Sequence, residues 1–368
     1  MSSLINFIYG SILGVVAGLF PGIHPNLISS VFHGDAYFLI PLAVTNSIVN
    51  TIPAILFGAP SIGTELSVLP GHRLLLKGRG FDAIRRTIIG SMLAGVYSVA
   101  LMPFFLILSR IYYKFQIIIP IALIIVAVSN IMSDNSPQFA AFSLVFSGLI
   151  GILSHGMLLP ALTGMFGLSR IILSNAAIPE QSESVEFISS NVERKSSFVG
   201  SVLGMITGIV PGMGSSQAAF IASKFSGDFL TALGAITTSN VIFSILAAFT
   251  IHKIRTGVAQ NIFIETSREA VSVVGLAMFS IALGGLAALH LSKLLVRNIH
   301  KVNYKLVNLL VGLFIIAITY VMCGTFGLLV LFTSTSLGVM AIKKRVKQSN
   351  LLGVVIIPTL VFFISKFI

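Results

Sequence analysis

Two short stretches of this 368-residue chain join a proline–glycine pair to small polar residues. Pro21-Gly22 is followed by Ile23-His24-Pro25-Asn26, and Pro211-Gly212 by Met213-Gly214-Ser215-Ser216. Proline removes a helix hydrogen bond and glycine admits backbone angles that other residues avoid, so each pair ends a helix. The residues after each break read as the start of the next helix. Unpaired N–H groups and a partial positive charge gather there, so two such starts at mid-membrane would form a site for an anion. Small residues let a ligand reach the backbone, and they equally permit close helix packing. Thr45, Asn46, Ser239 and Asn240 add side-chain polarity inside apolar runs.

Ionisable candidates are few. His24 can carry a proton or serve structurally. Glu65, within GAPSIGTEL (58–66), is a functional candidate if it lies at membrane depth and an ordinary solvated residue if it lies in a surface loop. Asp35 and Asp228 read as interface or cap residues. His72, Arg73, Lys77, Arg79, Arg85 and Arg86 read as a solvated cytoplasmic loop, with anionic lipid headgroups as an alternative use. The phosphate-loop, zinc-protease and nucleophile-elbow motifs are all missing, so no enzyme is expected. The single Cys323 excludes an intrachain disulfide and a cysteine metal cage.

The elements that must position these residues are set by composition. Hydrophobic residues make up 55% of the chain and charged ones 9%, against about 25% charged in a soluble domain. Apolar runs of about 17–25 residues recur, each long enough to cross a hydrocarbon core as a helix. The apolar segments lie at 4–20, 38–57, 87–108, 115–132, 138–154, 157–176, 198–210, 229–250, 270–292, 305–322, 324–341 and 351–367, with 198–210 shorter than the rest. The net charge of +12 sits in the short loops between them, which is the positive-inside pattern rather than a nucleic-acid signal. No Lys or Arg precedes Arg73, so the N-terminus lacks the basic region of a secretory signal peptide.

GSILGVVAGLFPG (10–22) and GSVLGMITGIVPG (200–212) align without a gap, with seven of thirteen positions identical. Asp35 precedes the next apolar run as Asp228 does, Thr45-Asn46 lies where Ser239-Asn240 lies, and GMFGL (164–168) returns as GTFGL (324–328). The chain therefore reads as a duplication: a first membrane repeat (1–178), a polar linker (179–197), a second repeat (198–345) and a C-terminal membrane helix (346–368). Arms of 13 residues flank the second break, at 198–210 and 213–225. At about 20 Å each they are too short to span, which favours a re-entrant hairpin over a kinked span.

Loop charges give the orientation. Arg73, Lys77, Arg79, Arg85 and Arg86 outweigh Arg110 and Lys114 in the next loop, whereas in the second half the basic excess moves to 293–305 and 343–347. Equivalent loops thus choose opposite sides, and the expected fold is an all-α multi-pass protein of the cell membrane. It has two inverted repeats, each with a Pro-Gly-broken re-entrant helical hairpin, in about 10–12 membrane segments.

GVVAGLFPGIHPN, the run from GAPSIGTEL to IIGSMLAG, LPALTGMFGLSRIILS, GMITGIVPGMGSSQAA and KQSNLLGVVIIPTL together resemble the large membrane subunit of tripartite tricarboxylate transporters, particularly its shorter archaeal branch. The resemblance implies secondary transport of a small organic anion, a di- or tricarboxylate, by alternating access. It also implies ion coupling by H+ or Na+ with no other cofactor, a small membrane subunit and an extracytoplasmic binding protein. The motif positions it carries over are Pro21, Gly22, Pro25, Pro211, Gly212, Gly214, Ser215, Ser216, and a possible second re-entrant loop at Gly58, Pro60, Ser61, Gly63 and Thr64. His24 and Glu65 are the coupling candidates. Pro70 stands where the family often has Asp, and His24 is a departure within the first motif. A lipid-phosphate translocase of the polyprenyl-phosphate type and a non-transporting assembly subunit are the alternative readings.

Overall fold

A computed structural model of the chain describes residues 2–20, 25–31, 35–57, 68–111, 118–173, 179–182, 185–186, 188–210, 215–222, 225–251, 256–262, 266–301 and 303–367. Among these the regular structure is helical. The first half holds α1 (Ser2–Leu19), α2 (Pro25–Val31), α3 (Ala36–Val49), α4 (Thr51–Phe57), α5 (Val68–Leu75), α6 (Gly80–Ile111), α7 (Ile118–Met132), α8 (Pro137–Leu153), α9 (Leu158–Leu162) and α10 (Ser169–Leu173). The second holds α11 (Ser190–Ile209), α12 (Ser215–Ala222), α13 (Phe229–Thr250), α14 (Gly257–Gln260), α15 (Ser267–Ile299), α16 (Tyr304–Lys343) and α17 (Gly353–Phe367). Six segments among the described residues are long and apolar enough to cross a membrane, at 36–57, 80–111, 229–250, 269–299, 308–343 and 348–365.

Glycines at every fourth position decide how the helices meet. A Cβ at Gly10, Gly14 or Gly18 would run into Phe38, Leu42 and Thr45, or Val49, so α1 lies directly against the backbone of α3. In the second half, Gly200, Gly204 and Gly208 press on Ala232, Ile236 and Ser239, and Phe243, bringing α11 against α13 in the same register. Partner numbers rise together in both pairs, so each pair is parallel and the chain must return between its members. The starts agree: Asn6 donates to the Asp35 carboxylate at 3.1 Å, and Ser196, its counterpart, accepts from the Asp228 backbone N–H at 3.0 Å. Asp35 and Asp228 cap α3 and α13 by accepting from Phe38 N and Thr231 N. Bilayer helices gain little from apolar burial against one another, so van der Waals contact between close backbones takes that role.

The long helices then cross between halves. α6 runs parallel to α13, with Gly90 against Thr231, Gly234 against Thr87, and the Phe105 and Phe243 rings 5.0 Å apart. Symmetrically, α15 lies on α3, with Gly284 at Thr45 and Ile48. α6 and α15 are antiparallel, since Gly95 meets Met278 and Ile281 while Gly285 meets Met92. The start of α6 is therefore at the opposite end from the start of α15. α3 and α13 are antiparallel as well: Thr51, just past the end of α3, bonds Thr87 at 3.1 Å, and Thr87 touches the first turns of α13.

A second group of helices, α7–α10 with α16 and α17, packs beside this core. The 40-residue α16 is not a rod, because Gly324 has φ 63° and ψ −160°. Gly338 lies against Ser169 and Gly312 against Ile171. On a straight helix those two glycines would be about 39 Å apart. The helix doubles back at Gly324, in keeping with the separate runs expected at 305–322 and 324–341. Its counterpart by sequence, GMFGL, lies instead in a buried π-type turn at Thr163–Leu168, so that echo does not extend to local structure.

Two expectations need correction. The helix before the second break has 20 residues, not 13, because Ser190–Ser197 extends it into the polar stretch; at about 30 Å it is no longer too short to span. The arms after the breaks are the short ones, with seven residues in α2 and eight in α12. Of the basic residues read as a solvated loop, Arg73 and Lys77 are exposed, whereas Arg86 is buried within α6. Asp82 is fully buried and accepts from Arg79 at 2.6 Å and Arg86 at 2.8 Å, while Arg86 also reaches Asp228 at 3.1 Å and Glu186 at 2.8 Å. Glu186 belongs to the polar stretch, whose Gln181 bonds Leu75 O and Gly80 N. Hydrogen bonds from Arg79 and Arg86 hold the Glu186 carboxyl below the usual range. Desolvated guanidinium–carboxylate clusters hold only when every member is paired, and here they join α6, α13 and the linker.

Two outcomes are expected. In a Cys323→Ser background, Lys77→Cys and Arg345→Cys should react with a membrane-impermeant thiol reagent from one face and Gln260→Cys from the other; labelling of all three from one face would refute the antiparallel arrangement. Gly204→Leu should lower detergent-solubilised stability by about 1–3 kcal/mol through overpacking against α13. Gly275→Ala, where nothing lies within 4 Å, should be neutral or stabilising by up to about 1 kcal/mol in the same melting assay.

Candidate functional site

The polar residues singled out on α3 and α13 meet where those helices cross. Ser47 and Thr238 hydroxyls are 3.4 Å apart, which puts Thr45-Asn46 and Ser239-Asn240 at the middle of the bundle. Thr45, Asn46 and Ser47 of α3 are buried, as are Asn50 and Thr51 just beyond it, and Thr237, Thr238, Ser239 and Ser244 on α13. Such side chains are costly in an apolar interior unless bonded. Most are bonded: Thr45 donates to Pro41 O at 2.7 Å, with Ser11 O at 3.2 Å, and Ser239 pairs with Ser98 of α6 at 3.2 Å. Thr45 and Ser239 are thus committed to helix contacts.

Asn46 and Asn50 behave differently. They are 3% and 6% exposed, and among the described residues the Asn46 Nδ2 and the Asn50 Oδ1 have no hydrogen-bond partner. One turn apart, they share a face of the chain beside the end of α1, where Gly18 touches Val49 and the Asn50 backbone. At the matching place in the second half, Asn240 is half-buried and accepts from the Ser244 hydroxyl at 3.4 Å. An orphaned amide donor and acceptor next to a helix break can hold a polar ligand without any ionised protein group. Asn50 was not singled out by sequence; its position four residues after Asn46, with a polar counterpart at Ser244, was the available signal.

The breaks themselves, Pro21, Gly22, Ile23, His24, Pro211, Gly212, Met213 and Gly214, lie outside the described residues. So do Gly58, Pro60, Ser61, Gly63, Thr64 and Glu65. The flanks are visible. Pro25 is buried at the start of α2, and the Asn26 carboxamide accepts from Val258 N at 3.3 Å. Asn261 donates to Ser29 O at 2.9 Å, so the arm after the first break is tied to α14 of the other half. Ser215 is buried at the start of α12, and Ser216 follows it in the same helix. His72, grouped with the basic loop, packs its Nδ1 at 3.1 Å from Ile55 O, and burial lowers its pKa.

Among the described residues no three His, Cys, Asp or Glu side chains gather to hold a metal ion. The central stripe offers amides and hydroxyls, which bind rather than react.

The Tripartite tricarboxylate transporter TctA family model matches residues 4–353. An uncharacterized protein of Methanocaldococcus jannaschii is 32% identical, in an alignment covering 99% of this chain and all of that protein. No solved structure matches. With a family match over nearly its whole length and membrane-crossing helices throughout, the chain belongs to the tripartite tricarboxylate transporter TctA family, and is a multi-pass membrane transport protein rather than an enzyme.

Proposed function

We propose that the chain moves a small organic anion, a di- or tricarboxylate, by alternating access around a site at the crossing of α3 and α13. The observation that carries this reading is the pair of unpartnered buried amides, Asn46 and Asn50, beside the end of α1, with Asn240 and Ser244 at the corresponding place beside α11. Two parallel helix pairs of opposite direction, each leading into a break and a short second arm, fit a pair of re-entrant hairpins. Such hairpins would bring the backbone of Gly22–Asn26 and Gly212–Ser216 toward one ligand from opposite faces. The N-terminus of α12 adds partial positive charge suited to a carboxylate.

Coupling to H+ through His24 or Glu65, or to Na+ held by loop carbonyls, completes the cycle. A small membrane subunit and an extracytoplasmic binding protein deliver the substrate, as the family description implies for a tripartite system.

Uptake of a labelled carboxylate panel into proteoliposomes tests the proposal. At least one di- or tricarboxylate should accumulate when an ion gradient and the partner subunits are supplied. Asn46→Ala and Asn240→Ala should each reduce its uptake by about tenfold or more, the loss of one or two hydrogen bonds to a charged group. Gly275→Ala should leave it unchanged. Full uptake in well-folded Asn46→Ala and Asn240→Ala proteins would move the site elsewhere, and full uptake by the purified chain alone would remove the partner requirement.

A further inference from the structure

Away from the central crossing, a cavity of about 750 Å³ opens between α5, α10 and the end of α16. Its lining includes Arg73, Arg170, Arg345 and Lys347, together with His72, and no carboxylate among the described residues. The ion pairs formed among the described residues all lie elsewhere, around Arg79, Arg85 and Arg86. Arg73 and Arg170 repel each other across the cavity, and Arg170 is largely desolvated. A desolvated guanidinium with other cations beside it is favoured by an opposite charge nearby.

The floor carries a second signal. Gln348 is 3% exposed and lines the cavity; its Oε1 accepts from Arg170 Nε at 3.3 Å, and its Nε2 has no partner. Ser349, also lining the cavity and 5% exposed, has an unpartnered hydroxyl. Asp134, the carboxylate beside Lys347, is occupied, accepting from Lys347 N at 2.8 Å and Asn350 Nδ2 at 2.9 Å, and Lys347 Nζ donates to Ser133 O; Asp228, next to the lining residue Phe229, is paired with Arg86. The remaining walls, among them Leu76, Phe229, Ile342 and Val346, are apolar.

We propose that this cavity binds a multiply charged phosphate group. Guanidinium forks match phosphate oxygens bidentately, and Gln348 and Ser349 supply neutral donors behind them. Apolar walls beside a basic pocket at the end of membrane helices suit the headgroup of an anionic lipid, such as one carrying two phosphates; a soluble diphosphate offers the same chemistry. The bound anion bridges α5 of the core to α10 and α16 of the second helix group, so occupancy ties the two groups together. This site is separate from the transport site at Asn46, and its failure would leave that reading intact.

The test uses the full chain in detergent after delipidation, with thermal melting and native mass spectrometry as readouts. Cardiolipin should be retained and raise the melting temperature by about 2–4 °C at saturating concentration, whereas phosphatidylcholine should not. Retention of cardiolipin with no response to inorganic pyrophosphate assigns a lipid source, and a response to pyrophosphate alone a soluble one. Arg73→Gln with Arg345→Gln, both exposed and therefore compatible with folding, should weaken either response by about tenfold or more, while Lys301→Gln should not. No response of the wild type to either phosphate compound, equal responses in the double variant, or an equal response to citrate would overturn the proposal. Arg345→Gln alone, at the rim, provides the same comparison should the double variant not fold.

Discussion

Everything in the central bundle depends on helix backbones touching. Two sets of three glycines, four residues apart, remove the side chains that would otherwise hold α1 from α3 and α11 from α13, and backbone and Cβ atoms of the facing helix occupy the freed space. In water such contact would add little to a large apolar core. In a bilayer the surroundings are as apolar as the interface, so close approach is among the few things that favour one helix neighbour over another. The same contact fixes direction and register, and hence which residues of α3 and α13 meet. Ser47 opposite Thr238, and the amides of Asn46 and Asn50 beside the end of α1, follow from it.

The buried charge cluster is the second fixed point, and it alters the meaning of the basic loops. Counted along the sequence, Arg79, Arg85 and Arg86 weigh toward a cytoplasmic face. In space, Arg86 joins Asp82 of its own helix, Asp228 at the cap of α13 and Glu186 of the linker, so that part of the positive charge is spent inside the protein. The basic residues around α5 and the end of α16 are left without such partners among the described carboxylates. Part of the net charge of +12 is therefore gathered at one place in the fold, around Arg73, Arg170, Arg345 and Lys347.

What was legible in the sequence was whatever depends on a single helix or on a repeated word. Run lengths set the spans, the repeated GSxLG with its Pro-Gly break marked the matching helix pairs, and Gly324 separated two apolar runs that do fold back on each other. What was hidden depends on distant pairs. The polar stretch before α11 looked like a free linker because Gln181 and Glu186 find their partners about a hundred residues away. Ser190–Ser197 continues α11 because its polar side chains do not oppose helix geometry, so hydropathy misplaced its start. Asn26 and Thr45 looked like ligand groups, and each turned out to have a backbone partner. Asn46, whose amide donor is left unsatisfied, was among the polar residues singled out, but nothing in its neighbours along the chain distinguishes it from Thr45.

The exchange of long helices between the halves has a consequence for biogenesis. α3 receives its neighbour α15 from the far end of the chain, and α13 rests on α6, which is made much earlier. When the first half leaves the ribosome, α3 has α1 beside it but lacks the α15 neighbour that Gly284 brings to Thr45 and Ile48. Until synthesis reaches Ser267, those surfaces must be sheltered by lipid or by the insertion machinery. Neither half, made alone, carries all the helix contacts of its own central helix, so the bundle closes only when both are present.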